Sequence, residues 1–201
     1  MNQISKIYFI VLLLSVSGCR NYKKNNLYNE KFDFYEIENG FLVCRLGNGF
    51  FSNYFRKYAS KEQKYSHIGI VSIENDSLFV CHSEVSELTG VGFVKRERLD
   101  SFLQNVENYD FFELGYPDST KFLVLKSIKS YCNKKIPFDL GFDSFDDSKL
   151  YCTELIATSI NKAVDSIEIV PTLNLNNKIL NSLDDIYQNK NVKKVTFANT
   201  K

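Results

Sequence analysis

With 201 residues, 44% of them apolar and 14% aromatic, the chain carries enough apolar surface for one packed core, which excludes a disordered protein. Its 25 basic and 24 acidic residues leave a net charge of +1 with no basic stripe, which argues against a nucleic-acid partner. There is no internal repeat, no phosphate-binding glycine loop and no long low-complexity tract.

The first segment, MNQISKIYFIVLLLSVSGC, has the layout of an export signal: Lys6 in a short polar start, an apolar run from Ile7 to Leu14, then small residues. That run is shorter than the about 20 apolar residues a membrane-spanning helix needs. Val16, Ser17 and Gly18 lead into Cys19 as in a bacterial lipoprotein signal. The expectation is a leader over 1–18, an acylated Cys19 as the mature N-terminus, and a lipoprotein anchored in a bacterial cell envelope. The alternative is an ordinary leader with an incidental cysteine. Residues 19–35 are polar and basic with scattered aromatics and read as a tether, and 36–201 as one domain, expected to be a monomer.

Within the domain, GFLVCRL (Gly40 to Leu46) reads as a strand and FFSNYFRKYAS as a short helix. HIGIVSI and SLFVCHSEV read as two strands joined by the polar turn Glu74 to Ser77, hence an antiparallel hairpin. KFLVLKSIKSYCNK reads as a helix with Phe122, Leu125, Ile128 and Cys132 on its apolar side. A last helix opens at Cys152, with Leu155, Ile156, Ile160, Ala163 and Val164 repeating at three- and four-residue intervals. The fold class is α+β, an antiparallel sheet packed against helices.

Once Cys19 is set aside, Cys44, Cys81, Cys132 and Cys152 remain. An even number in an exported chain keeps disulfides open. There is no CxxC, so a zinc site has no spacing behind it, although Cys81, His82 and Cys152 could still converge on a metal. Cys44, Cys81 and Cys132 lie in apolar runs and read as core thiols.

The hairpin brings both histidines of the chain together. A pairing centred on its turn sets His67 opposite Glu84 and His82 opposite Gly69, and strand alternation then puts His67, His82 and Glu84 on one face with Cys81 on the other. A nucleophilic cysteine needs a helix N-terminus or an imidazole to draw off its proton, and a third polar group to hold that imidazole. Cys152 has the helix terminus, which is expected to lower its pKa; His67 is the candidate base, and His82 or Glu84 the candidate orienting group. The aromatic segments GNGFFSNYF and YDFFELGY are either cleft walls or plain core.

The ordered motifs NGFLVC, KYSHIGIV, LFVCHS, KIPFDLGF and YCTELIA resemble the circularly permuted papain-like amidases, relatives of the NlpC-type cell-wall peptidases and of the lecithin retinol acyltransferase group. The resemblance runs from about Gly40 to Ile160, with histidine before cysteine as in the permuted branch. It implies a permuted papain-like fold with Cys152 as nucleophile, His67 as base and His82, rather than Glu84, in the third position. It further implies thioester chemistry on an amide or ester of a cell-envelope or lipid substrate, with no cofactor. A non-catalytic ligand-binding lipoprotein and a lipid-directed thiol acyltransferase are the other readings.

Overall fold

The computed structural model describes residues 36–59, 61–142 and 146–197; the leader, Cys19 and the tether all fall outside these. Among the described residues, eight strands and five helices follow in the order β1 (Leu42–Gly47), α1 (Phe50–Ala59), β2 (His67–Glu74), β3 (Ser77–Val85), β4 (Gly92–Arg98), α2 (Leu99–Phe102), β5 (Val106–Leu114), α3 (Asp118–Lys134), α4 (Cys152–Val164), β6 (Leu173–Leu175), β7 (Lys178–Leu180), α5 (Leu183–Tyr187) and β8 (Val192–Lys194). Six strands form one antiparallel sheet in the order β4-β3-β2-β1-β5-β8, and β6 and β7 form a separate two-stranded ribbon. The α+β expectation holds in this form.

The central strands are apolar on both faces because both faces are covered. On one side Leu42, Cys44, Ile68, Ile70 and Cys81 pack against α3 and α4 through Val124, Leu125, Ile128, Leu155, Ile156 and Ile160. On the other, Val43, Val71, Val80 and Phe111 pack against Leu99, Phe102 and Leu103. Such double burial produces near-continuous apolar runs such as FLVC and HIGIV instead of clean alternation. YDFFELGY lies largely in β5, where Phe111 and Phe112 enter the two opposite cores, so this segment is core and not cleft wall. Phe122 is also placed differently from the sequence expectation. The buried stripe of α3 is Val124, Leu125, Ile128 and Tyr131, and at about 100° per residue Phe122 turns away from it into solvent.

The β2–β3 hairpin closes on Asn75 and Asp76, both at positive φ (47° and 57°), the two-residue geometry that matches strand twist and that Asn and Asp tolerate. The ladder runs from Glu74↔Ser77 to Ile70↔Cys81, the register the sequence predicts for these residues, and beyond it Gly69 lies close against His82. The segment 136–138 then runs along the outer side of β4: Ile136 C=O accepts from Val94 N–H (2.7 Å), and Phe138 N–H donates to Gly92 C=O (2.9 Å). This covers part of a sheet edge that would otherwise present unpaired backbone groups.

Gly69 is required by close approach. A Cβ there would overlap Val80 Cγ1 and lie 3.1 Å from both the Cys81 carbonyl oxygen and His82 Cβ. Gly69→Ala should therefore lower stability by about 1–3 kcal/mol, the usual cost of overpacking a filled core, and push β3 away from β2. A urea unfolding midpoint equal to wild type would show that the hairpin has room there.

Candidate active site

The strand start of β2 carries His67, and β3 carries His82 across from Gly69. His67 Nε2 and His82 Nδ1 are 2.8 Å apart, with the two rings edge-to-face. His82 is fully buried and His67 nearly so. Both rings rest on Phe102 of α2, with centroids 5.0 Å and 5.7 Å away, and Arg45 covers the same phenyl ring and donates to the Phe102 carbonyl. The expected face is formed, with Glu84 close to the imidazoles but hydrogen-bonded to neither, its oxygens paired with Arg45 and with Lys95 at 2.7 Å.

The residue that touches the far nitrogen of His82 is Glu97 of β4, with Oε1 2.8 Å from His82 Nε2. The oxygen lies off the ring N–H axis, so the contact is a close charged one without linear hydrogen-bond geometry. Sequence reasoning missed it because GFVKRER, crowded with charge, was not read as a strand. Once β4 pairs with β3, the signal is plain: Glu97 is directly opposite Val80 and so shares the face of His82.

Cys152 is positioned by ties on both sides. Ser83 Oγ, next to His82, donates to the Leu150 carbonyl at 2.6 Å, and Leu150 N–H donates to Pro137 C=O at 3.0 Å. After the turn into α4, Thr153 Oγ1 donates to the Asn181 carbonyl (2.6 Å) and Asn181 N–H to Tyr151 Oη (2.9 Å). Glu154 is a buried helix cap, accepting from Tyr151 N–H at 3.3 Å. In YCTEL, the residues around the cysteine therefore anchor the turn that carries it. The Cys152 sulfur accepts backbone N–H groups of Thr153 and of Ile68, the residue after His67, which sets the thiol at the end of β2.

Cys152, His67, Ser66, Arg45 and Glu84 line one cleft of about 510 Å³. One wall is the turn Gly47–Gly49 with Ser52 and Phe55, so the GNGFFSNYF segment does wall a cleft; the other is Val85, Val91, Phe93 and Phe138. Gly49 and the Glu87 side chain approach each other closely across it.

Burial dominates the electrostatics. It pushes the Cys152 thiol up to about 11, against the pull of the backbone N–H groups of Thr153, Ile68 and Cys152 itself. The expectation that the helix terminus lowers this pKa is therefore reversed at rest: the first turn of α4 favours the thiolate, but removing the sulfur from water opposes it more. Burial, aided by the nearby Arg45, likewise holds His67 well below the usual histidine range; it lowers His82 too, against the pull of Glu97. For Glu84, burial is outweighed by the two imidazoles, Arg45 and Lys95, and its carboxyl falls to about 2. The thiol and imidazole are both neutral near pH 7.

The remaining thiols are free, with Cys44 and Cys81 in the core as expected. Cys132 is only half-buried, and its contact with the Cys81 thiol draws it below the usual cysteine range. The metal grouping weighed from sequence does not form, because Cys81 faces α3 while His82 faces Phe102. Among the described residues, His67, His82 and Glu84 are the group whose possible ligand atoms converge, within 4.8 Å.

No family model and no curated protein matches the chain. A solved structure does: metalloprotein yiiX from Escherichia coli O157:H7, DUF1105, which aligns over 80% of this chain and 97% of its own at a TM-score of 0.63. At 16% identity, this likeness shows a shared fold alone.

At pH 7.5 iodoacetamide should modify Cys132 well before Cys152, since thiolate content and access both favour it; peptide mass mapping over time reads the order. Labelling of Cys152 first would show that His67 draws off its proton at rest.

Proposed function

We propose that the chain is an exported, lipid-anchored cysteine hydrolase with a circularly permuted papain-like fold, acting on an amide or ester of a cell-envelope substrate. One observation carries the reading: Cys152, at the first turn of α4, shares a cleft with His67, whose Nε2 is committed to His82. That leaves His67 Nδ1 as the nitrogen not bonded to His82. A neutral imidazole beside a neutral thiol suits general-base catalysis, because the base must be able to accept a proton.

In this mechanism, the Cys152 S–H proton passes to His67 as the sulfur attacks the carbonyl carbon. His67 then gives that proton to the departing amine or alcohol, leaving a thioester on Cys152. A water molecule, deprotonated by His67, attacks the thioester, releasing the acid and restoring the thiol. Backbone N–H groups of the first turn of α4 stabilise the oxyanion. With an acceptor other than water, the same steps perform acyl transfer.

The cleft mouth supports a substrate with an apolar part. Phe50 (76% exposed) and Leu88 (97% exposed) flank the Gly49–Glu87 approach, and Val91 and Phe93 continue the apolar surface into the cleft. Among the described residues no helix is long and apolar enough to cross a membrane, so attachment in this reading rests on acylated Cys19. Replacement of Cys19 by Ser should move the protein out of the membrane fraction, and unchanged fractionation and mass would remove the anchor from the proposal.

A second reading takes its support from the convergence of His67, His82 and Glu84 and from the E. coli neighbour's being a metalloprotein: a divalent cation held by those three. Against it, the two imidazoles already bond each other, and Arg45 and Lys95 already neutralise Glu84. Metal analysis of the purified protein separates the two.

The hydrolase is tested on a panel of peptidoglycan stem-peptide amides and N-acyl or lipid ester substrates. Cys152→Ala should abolish turnover with an unchanged melting temperature. His82→Ala should lower kcat by about 10²–10⁴-fold, the usual range for a disabled acid–base group, and Glu84→Ala by much less. Turnover surviving in Cys152→Ala would sink the proposal.

A further inference from the structure

We propose that Glu97 is a positioning residue that fixes the tautomers of both histidines, and through them decides which nitrogen of His67 is free to take a proton. His82 is sealed from water, and both of its nitrogens have neighbours: Nε2 faces the Glu97 carboxylate at 2.8 Å and Nδ1 faces His67 Nε2 at 2.8 Å. An ionised carboxylate can only accept, and a neutral imidazole has a single N–H to give. The proton of His82 therefore sits on Nε2, where the Glu97 carboxylate draws it by charge although its oxygen lies off the N–H axis. Its Nδ1 is left as a bare acceptor, so His67 must donate through Nε2–H. Being neutral too, His67 then carries no proton on Nδ1, and that nitrogen becomes the proton acceptor of the pair.

With the opposite order, His82 would donate to His67 through Nδ1–H, His67 would hold its own proton on Nδ1, and no base would remain. Nothing within the histidine pair prefers one order, since the bond is equally short either way. Glu97 breaks the tie. Glu84 does not do so, because its oxygens are engaged by Arg45 and Lys95. The Glu97 carboxylate is kept in place from outside by Lys95, 3.8 Å from Oε2.

The tautomer assignment is independent of substrate; only its catalytic consequence rests on the hydrolase reading. The chain has two histidines, so the imidazole region of a ¹⁵N spectrum contains four nitrogens, and His82→Gln assigns them. The measurement is long-range ¹H–¹⁵N correlation on the full chain in detergent near pH 7.5. Wild type should show Nε2–H and bare Nδ1 in both rings. Glu97→Ala should convert His82, and with it His67, to mixed or Nδ1–H tautomers. Glu97→Gln, nearly isosteric and still offering an acceptor oxygen, should retain part of the wild-type pattern and serves if the alanine variant does not fold.

Nδ1–H on either ring of wild type overturns the inference, as does a Glu97→Ala spectrum with the wild-type tautomers. On the hydrolase panel, Glu97→Ala should lower kcat by about 10²-fold or more with little change in KM, consistent with a misplaced proton. The expected spectra in a protein that turns over nothing would leave Glu97 as assigned and remove the hydrolase. Tautomers indifferent to Glu97 in an active enzyme would do the reverse.

Discussion

The register of one hairpin governs this molecule. His67 and His82 can bond only if β2 and β3 pair with no slip, and a one-residue shift would carry one ring through the sheet to the opposite core. Two local features hold that register: the left-handed pair Asn75 and Asp76, which fixes the loop at two residues, and Gly69, whose missing side chain leaves the room that His82 occupies. The imidazole pair follows from the turn more than from its own 2.8 Å bond.

The second constraint is the attachment of α4 to that hairpin. Cys152 belongs to a helix packed on one face of the sheet, whereas the His67 ring lies over Phe102 on the other. They line the same cleft because both stand at an end of their element, His67 opening β2 and Cys152 opening α4. Ser83 makes the connection explicit: it is the neighbour of His82 in β3 and it holds the carbonyl two residues before the cysteine. Burial then gives the site its character. A thiol raised to about 11 and an imidazole held neutral mean that, in the proposed hydrolysis, charge is created during the reaction and not stored beforehand.

Local periodicity made the hairpin, its register, the shared face of His67, His82 and Glu84 and the amphipathic α4 legible in the sequence. These depend on residues a few positions apart, where alternation and turn chemistry are decisive. What could not be read depends on long-range docking. The meeting of Cys152 with β2 is made by Ser83–Leu150 and Thr153–Asn181 contacts, in which neither partner predicts the other. Glu97 was hidden because β4 alternates charges where a buried strand would show apolar residues, and only its pairing with β3 gives those charges a direction. The direction of the Cys152 shift was misread for a related reason. A helix N-terminus can be recognised from sequence, but the depth at which the fold buries it cannot, and here depth outweighs the terminus.

The grip of Tyr151 and Thr153 on the backbone of Asn181 orders events in time. During synthesis, the hairpin with both imidazoles emerges some seventy residues before the cysteine turn, by the residue numbers themselves, and can close as soon as β3 is out. The cysteine turn, by contrast, gains its ties on the α4 side only when nearly thirty more residues have followed it and Asn181 is present. In a chain still being made, the strands that carry the two imidazoles are therefore complete well before all the ties that fix the cysteine turn.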